Sequence, residues 1–452
     1  MKNISKLAVA GLGVLALASI DRTALAACDG PDVPRGTMLT KDTIDDLMNK
    51  CLDGKRIGDM IPHERFEHVI RNYAYPMKLI SNDTTEAENL PYRLVEATKQ
   101  YAGTTQYDPS TRQISNYKAG FPFAEIDMDD PEAGAKVVWN YRVSRPKGDQ
   151  FGSPGSYTGP NFVFTLSDGN SGVERIQRWN FSRFYYIGRV TGGPPVLGDG
   201  DRFSAALLFA VTPHDIKGVG TFTIAYNGAQ LDDVWAYIRT VRRVRRLSGG
   251  AWFDPIGGTD QLQDDIGFNA NPGWYENFRL LGKKWVLHPG DSQRGESPKG
   301  TRASWQYGKD NIGEEFPRLI EDQWPYWNMD EVFMPREAYV VEAIPPAAHP
   351  YSKRIAFFDA IHFNYMFQVA YDRKGDFWKT QTFASRFYDT ADGFIDPRSG
   401  KVEQWSFEAW GYTADYQRMH ATNFHVAEEF AINTQGTGSN DFTLATLEAA
   451  GR

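Results

Sequence analysis

Apolar positions along this 452-residue chain fall into three regimes. From Leu7 to Ile20 they are nearly continuous, preceded by Lys2 and Lys6 and followed by Ala24-Leu25-Ala26. A cationic start, an apolar run of this length and a small-x-small site read as an export signal over residues 1–26, cut after Ala26. The run is shorter than the ~20 apolar residues a membrane-spanning helix needs. Leu25-Ala26-Ala27-Cys28 offers a second reading, a lipobox that would acylate Cys28 and anchor the chain. Between residues 27 and 103 the spacing is helical. Thr40 can cap a helix running through Ile44, Leu47 and Met48. Pro62 and Pro91 stand at first-turn positions before His63–Asn72 and Tyr92–Tyr101, and Gly103 stops the last of these.

After Gly103 short apolar runs alternate with turn signals. They predict strands at 136–143, 161–166, 181–190, 203–211, 221–226, 234–247, 285–287, 338–344, 354–359, 365–371, 377–383 and 404–412. Many strands without alternating long helices point to antiparallel sheet, in one unit over 104–452. Residues 291–326 have weak periodicity and many charges and read as a long excursion. Thr443–Ala449 reads as a short capped helix. Two stripes stand out by parity. Ile355, Phe357, Phe363, Tyr365, Phe367, Val369 and Tyr371 share one face, and so do Phe203, Ala205, Leu207, Phe209 and Val211.

The segment WAYIRTVRRVRRL, from Trp235 to Leu247, concentrates arginine. Taken as one strand, it places Arg239, Arg243 and Arg245 on the face of Trp235, Tyr237 and Val241, with Arg242 and Arg246 opposite. Ion pairing with nearby acids is one reading. The other is a grip on an anionic head group, since arginine holds carboxylate or phosphate bidentately. Nucleic acid does not fit: the chain carries −8 overall, and the leader's +2 leaves −10 on the remainder.

Two cysteines are present, Cys28 and Cys51. If Cys28 is not acylated, the two can pair as in exported proteins. There is no GxSxG, HExxH, GxxxxGK[ST] or CxxC. His420 and His425, five apart, have poor metal geometry. Asp264-Asp265 near Asp260 lacks the calcium-loop spacing and reads as a solvated turn.

The segments GKRIGDMIPHERFEHVIRNY (54–73), KQYAGTTQYDPSTRQISNYKAGFPFAEIDMDDPEAGAKVVWNY (99–141), DDVWAYIRTVRRVRRLSG (232–249), GTDQLQDDIGFNANPGWYENFRLLGKKWVL (258–287) and HPYSKRIAFFDAIHFNYMFQVAYDRKGDFWK (349–379) carry a resemblance. The chain resembles a large periplasmic family of unknown function, often described as outer-membrane lipoprotein-sorting proteins, in the LolA/LolB-like fold group. The resemblance implies a mainly β (α+β) fold, a large incomplete antiparallel barrel, with segment 27–103 packing on it and helices acting as a lid. It implies a periplasmic, non-enzymatic carrier of a lipid or other amphiphile, serving an exporter of the resistance-nodulation-division class and an outer-membrane protein. A transporter-associated scaffold, or a secreted glycan or ester hydrolase, are the alternatives. The carrier reading places Trp139, Tyr141, Phe209, Trp235, Tyr237, Phe357 and Tyr365 along the apolar interior, and Arg239, Arg243 and Arg245 at the head group. It calls for no cofactor, no metal and no catalytic residue.

Overall fold

The computed structural model describes residues 27–82, 90–144, 148–152, 160–239, 242–247, 251–265, 268–289, 318–426 and 430–451. The expected signal at 1–26 and most of the excursion at 291–326 lie outside the described residues. The chain is mainly β. Besides further strands of two or three residues, its strands are β1 (Thr37–Leu39), β2 (Met77–Leu79), β3 (Phe162–Asp168), β4 (Gly172–Tyr185), β5 (Arg202–Thr212), β6 (Gly220–Tyr226), β7 (Asp233–Ile238), β8 (Arg243–Arg246), β9 (Asn277–His288), β10 (Val332–Ile344), β11 (Tyr351–Asp359), β12 (Tyr365–Asp372), β13 (Phe377–Asp389), β14 (Gln404–Asp415) and β15 (His420–Val426).

Antiparallel pairing runs in the order β8-β7-β6-β5-β4-β3-β15-β14-β13-β12-β11-β10-β9. Strand β2 joins β10 in parallel and β1 antiparallel, so the sheet is mixed. It does not close into a barrel; β8 and β9 are its two ends. Segment 27–103 thus adds strands to the sheet as well as helices. Helix α1 (Glu64–Asn72) buries Phe66, Val69 and Ile70, and Phe66 meets Phe367 of β12 at 5.0 Å. Helix α2 (Tyr92–Gln100) is tied to the β13–β14 connection by Arg93, whose guanidinium meets Asp392 and Glu403 at 2.7 Å each. Cys28 and Cys51 form a disulfide, which fits an exported protein.

Three expectations change here. Residues 136–143 are not a strand but lie in helix α3 (Ala133–Ser144), every residue of which is buried except Lys136. Enclosed on nearly every side, the helix buries Asn140, Arg142 and Ser144 along with its apolar residues and so has no amphipathic period to read, and its Val, Trp and Tyr residues mimic strand composition. Gly134 brings α3 against β9; a Cβ there would stand 2.8 Å from the Leu280 amide nitrogen and 2.9 Å from the Arg279 carbonyl carbon. Residues 234–247 are a hairpin, β7 and β8, rather than one strand, with Arg242 at a φ of 50° in the reversal. Strand β15 was not anticipated. Every residue of it is buried, so it shows no alternation.

Helix α4 (Leu444–Gly451) matches the expected tail helix. Its Leu447 packs with Phe442 against Ala205, Leu207, Phe222 and Tyr237 on the outer face of β5, β6 and β7. The opposite, inner face of the sheet carries α3 and the described parts of a long connection between β8 and β9, residues 251–265 and 268–275, which form a strap across it.

Candidate functional site

Beneath this strap the inner face leaves a cavity of about 320 Å³. Its size falls at the lower end of the range for small-molecule sites. One wall is aromatic: Phe162 and Phe164 of β3, Trp179 and Phe181 of β4, and Phe383, Phe407 and Phe424 from β13, β14 and β15. The other wall is made of smaller side chains, Ala206 and Leu208 of β5, Thr221 and Thr223 of β6, and Val234 and Ala236 of β7. The strap supplies the roof through Trp252, Pro255, Ile256 and Ala270. Tyr141 reaches in from α3 and donates its hydroxyl proton to Glu408 Oε1 at 3.1 Å.

Two buried ion clusters hold the strap. Asp264, Asp265 and Arg354 are all 0% exposed. Arg354 donates to Asp264, to Asp265 Oδ1 at 3.4 Å and to Gln368 Oε1 at 3.0 Å. Tyr275 donates to Asp264, and Tyr351 donates to Asp265 at 2.7 Å. Backbone amides of Leu262 and Ala270 cap the same carboxylates at 3.0 and 2.8 Å. In the second cluster Asp260 Oδ2 meets His420 Nδ1 at 2.6 Å and Thr422 Oγ1 at 2.8 Å. Its hydrogen bond to Asp260 is the main reason the His420 imidazole pKa rises above its ordinary value. The expected solvated turn at 264–265 is therefore a correction: these carboxylates sit in the core and clamp the strap to β11 and β12, while Asp260 ties it to β15. Nothing in the local sequence marks the difference, since Arg354 is distant in the chain.

Of the seven residues expected along the interior, Tyr141 lines the cavity. Trp139 lies on α3 with its indole nitrogen donating to the Arg112 carbonyl at 3.0 Å. Tyr365 is buried near Tyr141, its hydroxyl 2.8 Å from Gln368 Oε1 and 3.0 Å from Gln381 Oε1. Phe357 packs on Phe367 in the core covered by α1. Trp235 and Tyr237 face α4 on the outer side, and Phe209 shares their side of β5 by alternation. The inversion has a physical cause. Space remains where side chains are small, and bulky residues fill the seam under α4.

The arginines also redistribute. Because β7 and β8 form a hairpin, Arg245 pairs with Ala236 and Arg243 with Ile238, on the cavity side, while Arg246 pairs with Trp235 on the outer side. Arg239 donates to the His214 carbonyl oxygen at 2.5 Å. Arg246 pairs with Asp233.

Ionisable residues in the cavity lining are Arg183, which donates to Asn269 Oδ1 at 2.9 Å, and Asp232, Asp254, Asp264 and Glu408. Burial lifts the Asp232 carboxyl to about 6, against the pull of Arg142 and Arg183. A carboxyl raised in the folded state binds more protons folded than unfolded, so it destabilises progressively as pH rises from about 4 to about 6. Asp232→Asn is expected to stabilise the protein at pH 7 by on the order of 1 kcal/mol, with the difference vanishing near pH 4. Urea unfolding at pH 4 and 7 checks this; an equal effect at both pH values would contradict it.

A family model, DUF1329, described as a protein of unknown function, matches residues 57–448. Among solved structures the chain is similar to a domain named for outer membrane lipoprotein sorting from Vibrio parahaemolyticus, at 16% identity over 71% of this chain and 100% of that one, with a TM-score of 0.44. It is also similar to a DUF1329 family protein from Desulfovibrio piger, at 16% identity over 70% and 99%, TM-score 0.43. A LolA superfamily protein from Nitrosomonas europaea aligns at 11% identity over 67% and 94%, TM-score 0.33. No curated protein matches the chain.

Proposed function

The chain belongs to the DUF1329 family, and we propose that it is a non-enzymatic carrier of a lipid or similar amphiphile in the periplasm. The observation behind this reading is the cavity of about 320 Å³, with its aromatic wall, small-residue wall and apolar roof. An acyl chain in water is disfavoured by ~0.8 kcal/mol per CH₂, so moving it through an aqueous compartment requires such a space. On this reading Tyr141 and the phenylalanines solvate the tail. Arg243 and Arg245, on the cavity side of the terminal hairpin, hold an anionic head group. The protein would then work between a resistance-nodulation-division exporter and the outer membrane after cleavage behind Ala26.

Purified full-length protein extracted with organic solvent and followed by native mass spectrometry is expected to release a bound amphiphile, and the stripped protein to bind a fluorescent fatty acid. Leu208→Trp fills the small-residue wall from within. It is expected to weaken that binding roughly tenfold or more, equivalent to ~1.4 kcal/mol or about two methylene contacts, while thermal stability stays near that of the parent. A protein that releases no amphiphile and binds no probe would overturn the carrier reading.

A further inference from the structure

The inner face of the sheet changes character at its β8 end. By register its last three strands form a small grid. Thr221, Ala236 and Arg245 make one row, and Ile238 and Arg243 lie in the next. Continuing the alternation puts Val219 beside Ile238 and Leu247 beside Val234, whose carbonyl accepts from the Leu247 amide at 2.8 Å. Val219 and Leu247 also line the cavity, so the grid is its mouth. The outer face of these strands is covered by α4. Among the described residues nothing covers the inner face: Val219, Ile238 and Leu247 are 41%, 38% and 39% exposed. Exposed apolar side chains set together around a cavity mouth mark a surface that meets something apolar.

Charge decides what that is. Arg242, Arg243 and Arg245 are exposed on the same hairpin. Two acids close by in sequence are paired with other arginines: Asp233 with Arg246, and Asp215 with Arg175. Among the described residues the side chains of Arg243 and Arg245 have no hydrogen-bond or ion-pair partner. This cationic spot belongs to a chain of net charge −8, so it does not reflect a generally basic surface. Apolar residues flanked by arginines fit the interface of a bilayer bearing anionic lipids, where cations near the surface and buried apolar area act together.

We infer that the uncovered inner face of β6, β7 and β8 docks on an anionic lipid bilayer and opens the cavity mouth directly onto it. This deepens the carrier reading and rests on it for its purpose, since a ligand could pass between bilayer and cavity without crossing water. The docking itself is independent of any bound ligand. Arginine also keeps the edge of β8 from pairing with other strands, a role compatible with the first.

Co-sedimentation of the full chain with vesicles tests it. Vesicles of phosphatidylcholine with phosphatidylglycerol are expected to bind the protein, and vesicles of phosphatidylcholine alone to bind it weakly. Added salt is expected to loosen binding. Replacing both Arg243 and Arg245 with glutamine is expected to reduce partitioning by roughly 30-fold, from ~1 kcal/mol per arginine. Ile238→Ser with Leu247→Ser is expected to reduce it at low salt as well, with unfolding curves unchanged in both variants. Equal binding to neutral vesicles, no binding, or a double-arginine variant that binds like the parent would overturn the inference. So would concentration-dependent dimers in light scattering that dissociate in Ile238→Ser with Leu247→Ser, since the face would then belong to a second copy. Fatty-acid binding measured without vesicles separates the two readings: if it persists while vesicle binding fails, docking falls and the carrier stands.

Discussion

Arg354→Ala is expected to lower folding stability by on the order of 3–5 kcal/mol, because it leaves Asp264 and Asp265 as uncompensated charges in the core. Both carboxylates are fully buried, and the guanidinium meets both. The same ring of contacts pins the strap, and Asp264 also lines the cavity. The loss should therefore appear twice, as a lower urea midpoint and as weakened probe binding at temperatures where the variant is still folded. A triple variant, Arg354→Met with Asp264→Asn and Asp265→Asn, removes all three charges and is expected to recover most of the stability, since a buried ionic group often contributes little over an apolar replacement. An Arg354→Ala protein as stable as the parent would contradict the clamp.

Arg336→Met is the second large effect, expected at about 3 kcal/mol. Arg336 donates to Asp359 Oδ2 from Nε at 3.0 Å and from Nη2 at 2.6 Å. Asp359 Oδ1 accepts from the amides of Ile361 and His362 at 2.8 Å each, which shapes the β11–β12 turn. Burial alone would raise the Asp359 pKa, but Arg336, His362 and these hydrogen bonds outweigh it and hold the carboxyl down at about 2. A carboxyl depressed in the folded state stabilises above its unfolded pKa, near 4, and that contribution fades as pH falls toward 2. The parent should lose stability across that window. Arg336→Met should lose it already at pH 7 and show a flatter acid limb. Unfolding curves at pH 7, 4 and 2.5 check the sign; parallel limbs would contradict it.

How much of this was legible in the sequence depends on what kind of signal each part leaves. The strands of the β10–β13 stretch were readable because turn residues such as Asp359 punctuate them. Helix α3 was not, because tertiary enclosure removed the period that marks a helix. The stripe through Ala205 and Leu207 shares one face, and that face packs under α4. Parity tells which residues face together, and only the helix packed outside decides which face is inner. The arginine run was read as continuous because no glycine or proline marks its reversal; Arg242 itself takes the left-handed conformation. The Cys28–Cys51 pairing was one of two readings the sequence left open. The buried carboxylates of the strap were out of reach, since their partner is Arg354 and burial is not written in the local spacing.

The strap's anchors have a mechanical consequence. Arg354, Tyr351 and Gln368 belong to β11 and β12, and His420 and Thr422 to β15, so the roof is bolted to the middle of the sheet. On the small-residue side, among the described residues, the strap holds only the β6–β7 connection, through Asn271 to the Gly228 carbonyl and Trp274 to the Ala229 carbonyl, and none of its ionic anchors reaches β6, β7 or β8. The far side of these strands packs on α4. The wall is therefore expected to yield before the roof. Amide hydrogens of the terminal hairpin should exchange faster than those of β15, and admission of cargo should bend that hairpin outward while residues 254–265 stay in place.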